Sequence, residues 1–156
     1  MESTFKYRMI QWSWGIAIDL TAEFIARRQF HGEAIEINSD LWLAVKVKGL
    51  DCADYEYLAQ GLKLVAGEIK KHSPFSGPLV VCVKNIWYNP CDYQPEGLVC
   101  AIIGWVAHEL PFDAPHIPVH FDRRKNRYEF QFENPGNGVR IPPFPPFQRG
   151  DKGGIL

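Results

Sequence analysis

Alternation of apolar and polar side chains predicts strands in the first third of the chain. Residues 41–48 carry apolar side chains at every second position, which is typical of a half-buried strand. Residues 7–20 alternate less regularly around Gly15 and predict a strand with a bulge. Residues 21–30 fit a short helix or a strand, and we favour the strand because a turn near residues 19–21 would then complete a hairpin.

The second third of the chain combines an amphipathic helix with a strand that is apolar on both sides. Residues 51–72 carry apolar side chains at spacings of three and four after aspartates that can cap the first turn, so they predict a helix. Gly61 and Gly67 within it each cost about 1 kcal/mol relative to alanine. Residues 79–88 predict the central strand of a sheet, because a strand that is apolar on both faces is covered on both. The order strand, helix, strand predicts that the two strands lie parallel.

Two further elements complete the predicted fold. Residues 96–110 are apolar on two adjacent helical sides and follow Pro95, whose missing N–H costs nothing in a first turn, so we predict a buried helix. Residues 119–132 predict a hairpin. With a short strand at residues 33–37, these elements predict a single α+β domain over residues 1–133, in which two main helices pack on a mostly antiparallel sheet of about five to seven strands.

The C-terminal segment differs in composition from the rest of the chain. Residues 134–156 are dense in glycine and proline and carry almost no aliphatic side chains before the last two positions, so they predict a flexible tail. The run Pro-Pro-Phe-Pro-Pro-Phe-Gln-Arg-Gly-Asp-Lys-Gly-Gly at residues 142–154 resembles the tail of cyanobacterial open reading frames that run into an interspersed DNA repeat. The resemblance implies a cyanobacterial source and nothing about activity.

Charge and composition restrict the classes of function. A formal net charge of −1 argues against non-specific binding to nucleic acid, which needs an excess of lysine and arginine. The first residues lack a basic region followed by an apolar core, and no run of about 18 apolar residues occurs, so we predict neither a signal peptide nor a membrane-spanning helix. Four cysteines in a chain without a predicted signal peptide predict free thiols and a cytoplasmic location, and the lack of a C-x-x-C pair argues against a structural zinc site.

The loop at residues 89–97 holds the most unusual mixture of side chains in the chain. It lies between the predicted central strand and the buried helix and contains two prolines, two acids, a thiol, a phenol and an amide. In a purely structural interpretation, the prolines stiffen the loop, Asp92 or Gln94 caps the following helix, and Glu96 complements the helix dipole. On that interpretation, disturbing the loop unfolds the domain.

The first functional hypothesis is a non-catalytic protein of regulatory or immunity type that binds another protein. A stiff junction between a strand and a helix that presents aromatic side chains is typical of protein interfaces. The predicted contact residues are Trp87, Tyr88, Tyr93, Gln94 and Glu96. Association of the chain with itself is a further possibility. No cofactor is predicted, since no Gly-rich phosphate loop follows a strand.

The alternative hypothesis is a small hydrolase-like enzyme that uses Cys91, Asp92, Glu96 or a nearby histidine. Cys91 would need a base such as His108, His116 or His120 within hydrogen-bond reach. The two acids would need one buried carboxyl group of raised pKa. A metal site on His116 and His120 is a third possibility, although prolines in that segment remove the meaning of their spacing. We favour the non-catalytic hypothesis because each candidate also has an adequate structural role.

Overall fold

The computed structural model describes residues 1–134 and 139–140 of the chain. The predicted tail falls largely on residues 135–138 and 141–156, which lie outside the described residues. In chain order, the elements are β1 (Ser3–Ile10), β2 (Gly15–Ala26), a 3-10 turn (Arg27–Gln29), β3 (Ile35–Asn38), β4 (Leu41–Val45), α1 (Cys52–His72), β5 (Leu79–Tyr88), α2 (Gly97–Glu109), β6 (Val119–Asp122), β7 (Arg127–Phe130), β8 (Glu133–Asn134) and β9 (Val139–Arg140).

The strands β1 to β5 form one sheet in the spatial order β1-β2-β5-β4-β3. Neighbouring strands are antiparallel except for β4 and β5, which are parallel and are joined in the chain through α1. The structure therefore confirms a single α+β domain with a mostly antiparallel sheet and with β5 as its central strand. Strands β6 and β7 form the predicted hairpin, which is a separate two-stranded sheet.

The predicted turn between the first two strands is wrong. β1 and β2 pair as far as Ile10 opposite Gly15, so the chain reverses at residues 11–14 and not at residues 19–21. Gly15 is the first residue of β2, and a Cβ atom there would lie 2.3 Å from a carbonyl oxygen of β1. A bulge occurs instead in β5 at Lys84, which has no partner in β2 because Thr21 and Ala22 pair with Asn85 and Val83. The prediction failed because two tryptophans continue the apolar alternation through the real turn.

Both helices pack on the same face of the sheet and form the main core with it. Alternate strand residues point into this core, among them Ile18 and Leu20 of β2 and Val81 of β5, and Trp105 of α2 is fully buried there. The opposite face carries a smaller cluster at one end. Its buried members are Phe30, Ala44, Val80 and Cys82, with Trp42 partly buried against them. Cys82 is thus a buried core residue.

The helices begin and end close to their predicted positions. At the start of α1, the Asp51 carboxylate accepts a hydrogen bond from the Asp54 backbone N–H (3.1 Å), and the Asp54 carboxylate accepts one from the Asp51 N–H (3.0 Å). This reciprocal pair is a capping box, which satisfies amides that have no partner within the helix. Within the described part of the chain, no helix has the length and apolar character needed to cross a membrane.

Gly61 allows α1 and α2 to approach each other closely. A Cβ atom at Gly61 would lie 2.4 Å from Cγ2 of Ile102 and 2.9 Å from the backbone oxygen of Val99, both in α2. At Gly67, further along α1, a Cβ atom would meet nothing within 4 Å. Close packing therefore explains one of the two helical glycines, and nothing in the structure explains the other.

The two glycines should respond oppositely to the same substitution. Gly61→Ala forces a methyl group against α2 and should lower the free energy of unfolding by about 1–3 kcal/mol. Gly67→Ala removes only the conformational freedom of glycine and should raise it by about 0.4–1 kcal/mol. Urea denaturation followed by circular dichroism measures both values. Equal effects of the two substitutions would contradict this packing of the helices.

Candidate functional site

The loop at residues 89–97 begins with a tight turn that Asn89 organises. The Asp92 N–H donates to the Asn89 carbonyl oxygen (2.8 Å), and the Cys91 N–H donates to the Asn89 side-chain oxygen (3.0 Å). The side-chain amide of Asn89 donates in turn to the Asp92 carboxylate (3.2 Å). Asparagine favours such turns because its short side chain bonds the backbone two residues on. The first four residues of the loop therefore hold one another in place.

Asp92 binds the start of β2. Its carboxylate accepts a hydrogen bond from the Gly15 N–H (3.3 Å), and its carbonyl oxygen accepts one from the Ala17 N–H (2.8 Å). The loop thus continues the contact of β5 with β2 after β5 has ended. Asp92 fixes the position at which β2 emerges from the turn at residues 11–14.

The prediction that Asp92 or Gln94 caps α2 is wrong. The N-cap residue is Glu96, and no side chain caps this helix. The first amides of the helix donate instead to backbone carbonyls three residues earlier, for example from the Gly97 N–H to the Gln94 oxygen (2.9 Å). This is possible because the backbone of Glu96 is already helical, with φ −59° and ψ −25°. The polar side chains of the loop are therefore free to bind distant parts of the chain.

Gln94 joins the loop to the hairpin β6–β7. Its side-chain NH₂ donates to the Tyr128 carbonyl oxygen (2.6 Å), and its side-chain oxygen accepts from the Tyr128 N–H (2.8 Å). One amide group thus pairs with both backbone groups of a strand residue, as a neighbouring strand would. Gln94 is 5% exposed and Tyr128 is fully buried, so these bonds are shielded from water. Such bonds are costly to break, because the groups left behind have no other partner.

Tyr128 in turn connects the hairpin β6–β7 to the turn between β1 and β2. Its hydroxyl group donates to the Trp14 carbonyl oxygen and accepts from the Gln11 N–H (3.0 Å). Its ring packs edge-on against Trp14, with ring centroids 5.2 Å apart, and against Phe121, at 4.9 Å. Loop, hairpin and turn therefore meet at one buried tyrosine.

The remaining polar side chains of the loop also have intramolecular partners. The Tyr93 hydroxyl donates to the Asp54 carboxylate at the start of α1 (3.2 Å). Burial raises the pKa of both groups, and the nearby Asp54 charge raises the pKa of Tyr93 further. The Glu96 carboxylate forms an ion pair with Arg127 and accepts from the Gln94 amide (3.2 Å). Three predicted contact residues, Tyr93, Gln94 and Glu96, thus hold the fold together.

The other two predicted contact residues are exposed at the end of β5. Trp87 is 51% exposed and lies opposite Asp19 on the sheet face away from the helices. Tyr88 is 39% exposed, lies opposite Ile18 on the helix side and stacks on Tyr93 with ring centroids 4.0 Å apart. The central strand therefore ends with one exposed aromatic side chain on each face of the sheet.

A notch in the sheet lies beside these two aromatic side chains, because β4 ends at Val45 and not at residue 48, as its alternation predicted. The parallel pairing of β4 with β5 stops at Val45 opposite Val83, while β5 continues to Tyr88. Within the described residues, no strand pairs with β5 on the β4 side beyond that point. We call the edge of residues 84–88 on this side the β5 notch. It is the free edge of a central strand, and it exists because β5 extends beyond the end of β4.

The residues proposed for catalysis are not brought together. Cys91 is exposed, and no hydrogen bond in the described residues joins its sulfur to a histidine. His116 and His120 are exposed, and no group of three or more potential metal ligands forms in the described part of the chain. A cleft of about 440 Å³ lies beside Asp92 and Arg8, but both carboxylate oxygens of Asp92 already accept hydrogen bonds. The enzyme hypothesis stays a prediction without an assembled site.

Comparison of the chain with protein-family models, curated proteins and solved structures gives no match. The geometry of the loop, the exposed aromatic side chains and the β5 notch are therefore the observations that bear on function.

Removing the amide of Gln94 should destabilise the domain strongly. Gln94→Ala leaves the buried N–H and C=O of Tyr128 unpaired, and each such group costs about 1–3 kcal/mol, so we expect a loss of about 2–4 kcal/mol. Cys91→Ser in the same loop is a matched control, because an exposed substitution changes stability by less than about 0.5 kcal/mol. Urea denaturation measures both. A loss below about 1 kcal/mol for Gln94→Ala would contradict the role of this side chain.

Proposed function

We propose that this protein is a non-catalytic, regulatory protein-binding module whose partner supplies an extended segment that pairs with β5 in the notch. The observation that carries the proposal is the free edge of the central strand, flanked by exposed Trp87 and Tyr88. Addition of a strand to an open sheet edge is a recurrent mode of peptide recognition, in which backbone hydrogen bonds give affinity and side-chain contacts give specificity.

The backbone geometry of β5 supports pairing in the notch. The Lys46 N–H donates to the Val83 carbonyl oxygen (2.9 Å), so the backbone groups of Val83 point to the β4 side. The bulge at Lys84 and the register with β2 place Trp87 and Asn85 opposite Asp19 and Thr21. Because backbone groups alternate in direction along a strand, those of intervening Ile86 point into the notch. An incoming strand would find its first partner there.

The two aromatic side chains would hold such a segment from both faces of the sheet. Trp87 and Tyr88 project to opposite sides of β5, so a segment lying in the notch would contact one with each set of its alternating side chains. Large, rigid aromatic side chains are the residues that most often dominate interface energy. Tyr88 is also held in place by its stacking on Tyr93.

The loop at residues 89–97 makes this surface rigid. Its contacts to Gly15, Tyr128 and Asp54 fix the end of β5 from three directions. A surface that is already ordered loses less conformational entropy when a partner binds. Tyr93, Gln94 and Glu96 thus contribute to binding through the position of β5. The four unpaired cysteines fit the reducing cytoplasm, where we place the protein.

Selection from a phage-displayed library of random peptides against the full chain tests this proposal. We expect enriched peptides with alternating apolar residues, whose affinity falls at least about ten-fold for Trp87→Ala, since truncating an aromatic anchor costs about 2 kcal/mol or more. Trp12→Ala is the matched control, because Trp12 is 55% exposed but lies in the turn between β1 and β2, under Arg123.

Two outcomes would contradict the binding proposal. One is that no peptide is enriched by the full chain. The other is that enriched peptides bind Trp87→Ala and Trp12→Ala equally well. Circular dichroism of both variants establishes that each keeps the fold, so that a loss of affinity reports the surface. Chemical-shift changes at the backbone amides of residues 84–88 locate the bound peptide in the notch.

A further inference from the structure

The two outer edges of the five-stranded sheet differ in how they are protected. β3 has four residues, and its register against β4 shifts between Glu36 and Asn38. β1 has eight residues, pairs with β2 in an unbroken register and contains no proline. Proteins usually protect such edges by shortness, bulges, proline or charged side chains, because a long regular edge recruits another strand. Of these features β1 has only charged side chains, Lys6 and Arg8, which disfavour a like-charged strand but not one of complementary charge. β1 therefore has the properties of an edge that pairs with a partner.

The direction of the backbone groups in β1 follows from two contacts. The Ala17 N–H donates to the Asp92 carbonyl oxygen on the β5 side, so even-numbered residues of β2 such as Ile18 bond to β1. The Arg8 guanidinium lies 2.9 Å from the Tyr7 carbonyl oxygen and 3.4 Å from that of Ile18, which fits hydrogen bonding between these two opposed residues. The N–H and C=O groups of Thr4 and Arg8, and of Lys6 between them, therefore point outward.

We infer that β1 pairs with β1 of a second copy of this chain in a two-fold antiparallel dimer, which extends the sheet across both molecules. In the register that we infer, Phe5 lies on the two-fold axis, Thr4 faces the partner's Lys6, and Glu2 faces the partner's Arg8. The outward backbone groups of Thr4 and Lys6 then bond to each other across the interface. Paired residues share a face, so the charged side chains meet on the side away from the helices.

Charge selects this register among the possible ones. It opposes Glu2 and Arg8 twice and brings no like charges together. Shifting the axis to Lys6 would place two lysines opposite each other, and shifting it to Tyr7 would place Lys6 opposite Arg8. An axis at Thr4 would oppose Glu2 and Lys6 but leave Arg8 without a partner and shorten the pairing. Opposite charges on facing strands are stabilising and like charges are destabilising.

The opposite face of the interface is apolar. Phe5 points to the helix side and is partly buried, with its ring against Gly104 of α2, where a Cβ atom would lie 2.3 Å from it. Two Phe5 side chains therefore meet at the axis, beneath the two α2 helices. The β5 notch lies on the far side of β2 from β1, so the dimer does not depend on the proposed peptide site.

Reversing the charge at Glu2 in one variant and at Arg8 in another tests the dimer and its register. Sedimentation velocity of the full chain should show a dimer at micromolar concentrations. Glu2→Arg and Arg8→Glu should each raise the dissociation constant at least about ten-fold, because each brings like charges together twice. An equimolar mixture of the two variants should form a heterodimer as tight as the wild-type dimer. In that mixture every Arg faces a Glu.

The mixture of the two variants distinguishes a disrupted dimer interface from the loss of ion pairs within one chain. Glu2 pairs with Lys84, and Arg8 pairs with Asp19, so each variant also loses one intramolecular ion pair, which mixing cannot restore. Glu36→Arg on β3 is the control and should leave the dimer unchanged. A monomeric wild-type chain, single variants that dimerise normally, or a mixture that stays monomeric would each overturn the inference.

Discussion

The structure depends on the pairing of one buried amide with one backbone position, Gln94 with Tyr128. A two-stranded hairpin such as β6–β7 is marginally stable by itself, and no strand of the main sheet pairs with it in the described residues. The side-chain amide of Gln94, which lies in a loop, bonds the backbone of Tyr128 in place of a third strand. Through the Tyr128 hydroxyl, the same contact reaches the turn between β1 and β2. The hairpin, the turn and the end of the central strand therefore form one cooperative unit.

The hydrogen bonds of the loop at residues 89–97 explain its unusual mixture of polar side chains. Its acids, amide and phenol have the composition of an active site, yet their hydrogen bonds go to Gly15, Tyr128, Arg127 and Asp54. The polar groups of the loop thus position the end of β5. Apart from the Cys91 thiol, the groups left exposed beside it are aromatic side chains and a free strand edge, which are the features that the proposed binding of a protein segment uses.

The sequence allowed the elements to be predicted better than their connections. The alternation in residues 41–48, the two-sided apolar run of β5 and the helical spacing in α1 are local patterns, and each produced the type of element that it predicted. The strand predicted over residues 41–48 nevertheless ends at Val45. The turn at residues 11–14 was not predicted because Trp14 fits the apolar alternation of a strand. Its apolar side chain instead packs on Tyr128, which is distant in the sequence. Local periodicity cannot distinguish a tryptophan that continues a strand from one that meets a hairpin more than a hundred residues away.

The partners of the loop were missed for the same physical reason. Capping of α2 by Asp92 or Gln94 is the nearest local use of those side chains, and sequence reasoning assigns polar groups to near neighbours. In the folded chain, a backbone turn satisfies the helix start, and Gln94 bonds a residue 34 positions away. The β5 notch likewise depends on where β4 stops relative to β5, which a pattern along one strand does not contain.

Native-state hydrogen exchange at the Tyr128 amide tests the central claim most directly. If Gln94 unites the hairpin with the sheet, this amide should exchange only through global unfolding, with the same free energy as the amides of β5. Exchange of the Tyr128 amide with a free energy well below that of β5 would show that the hairpin opens independently. That result would contradict the account of residues 89–97 as the junction of the fold.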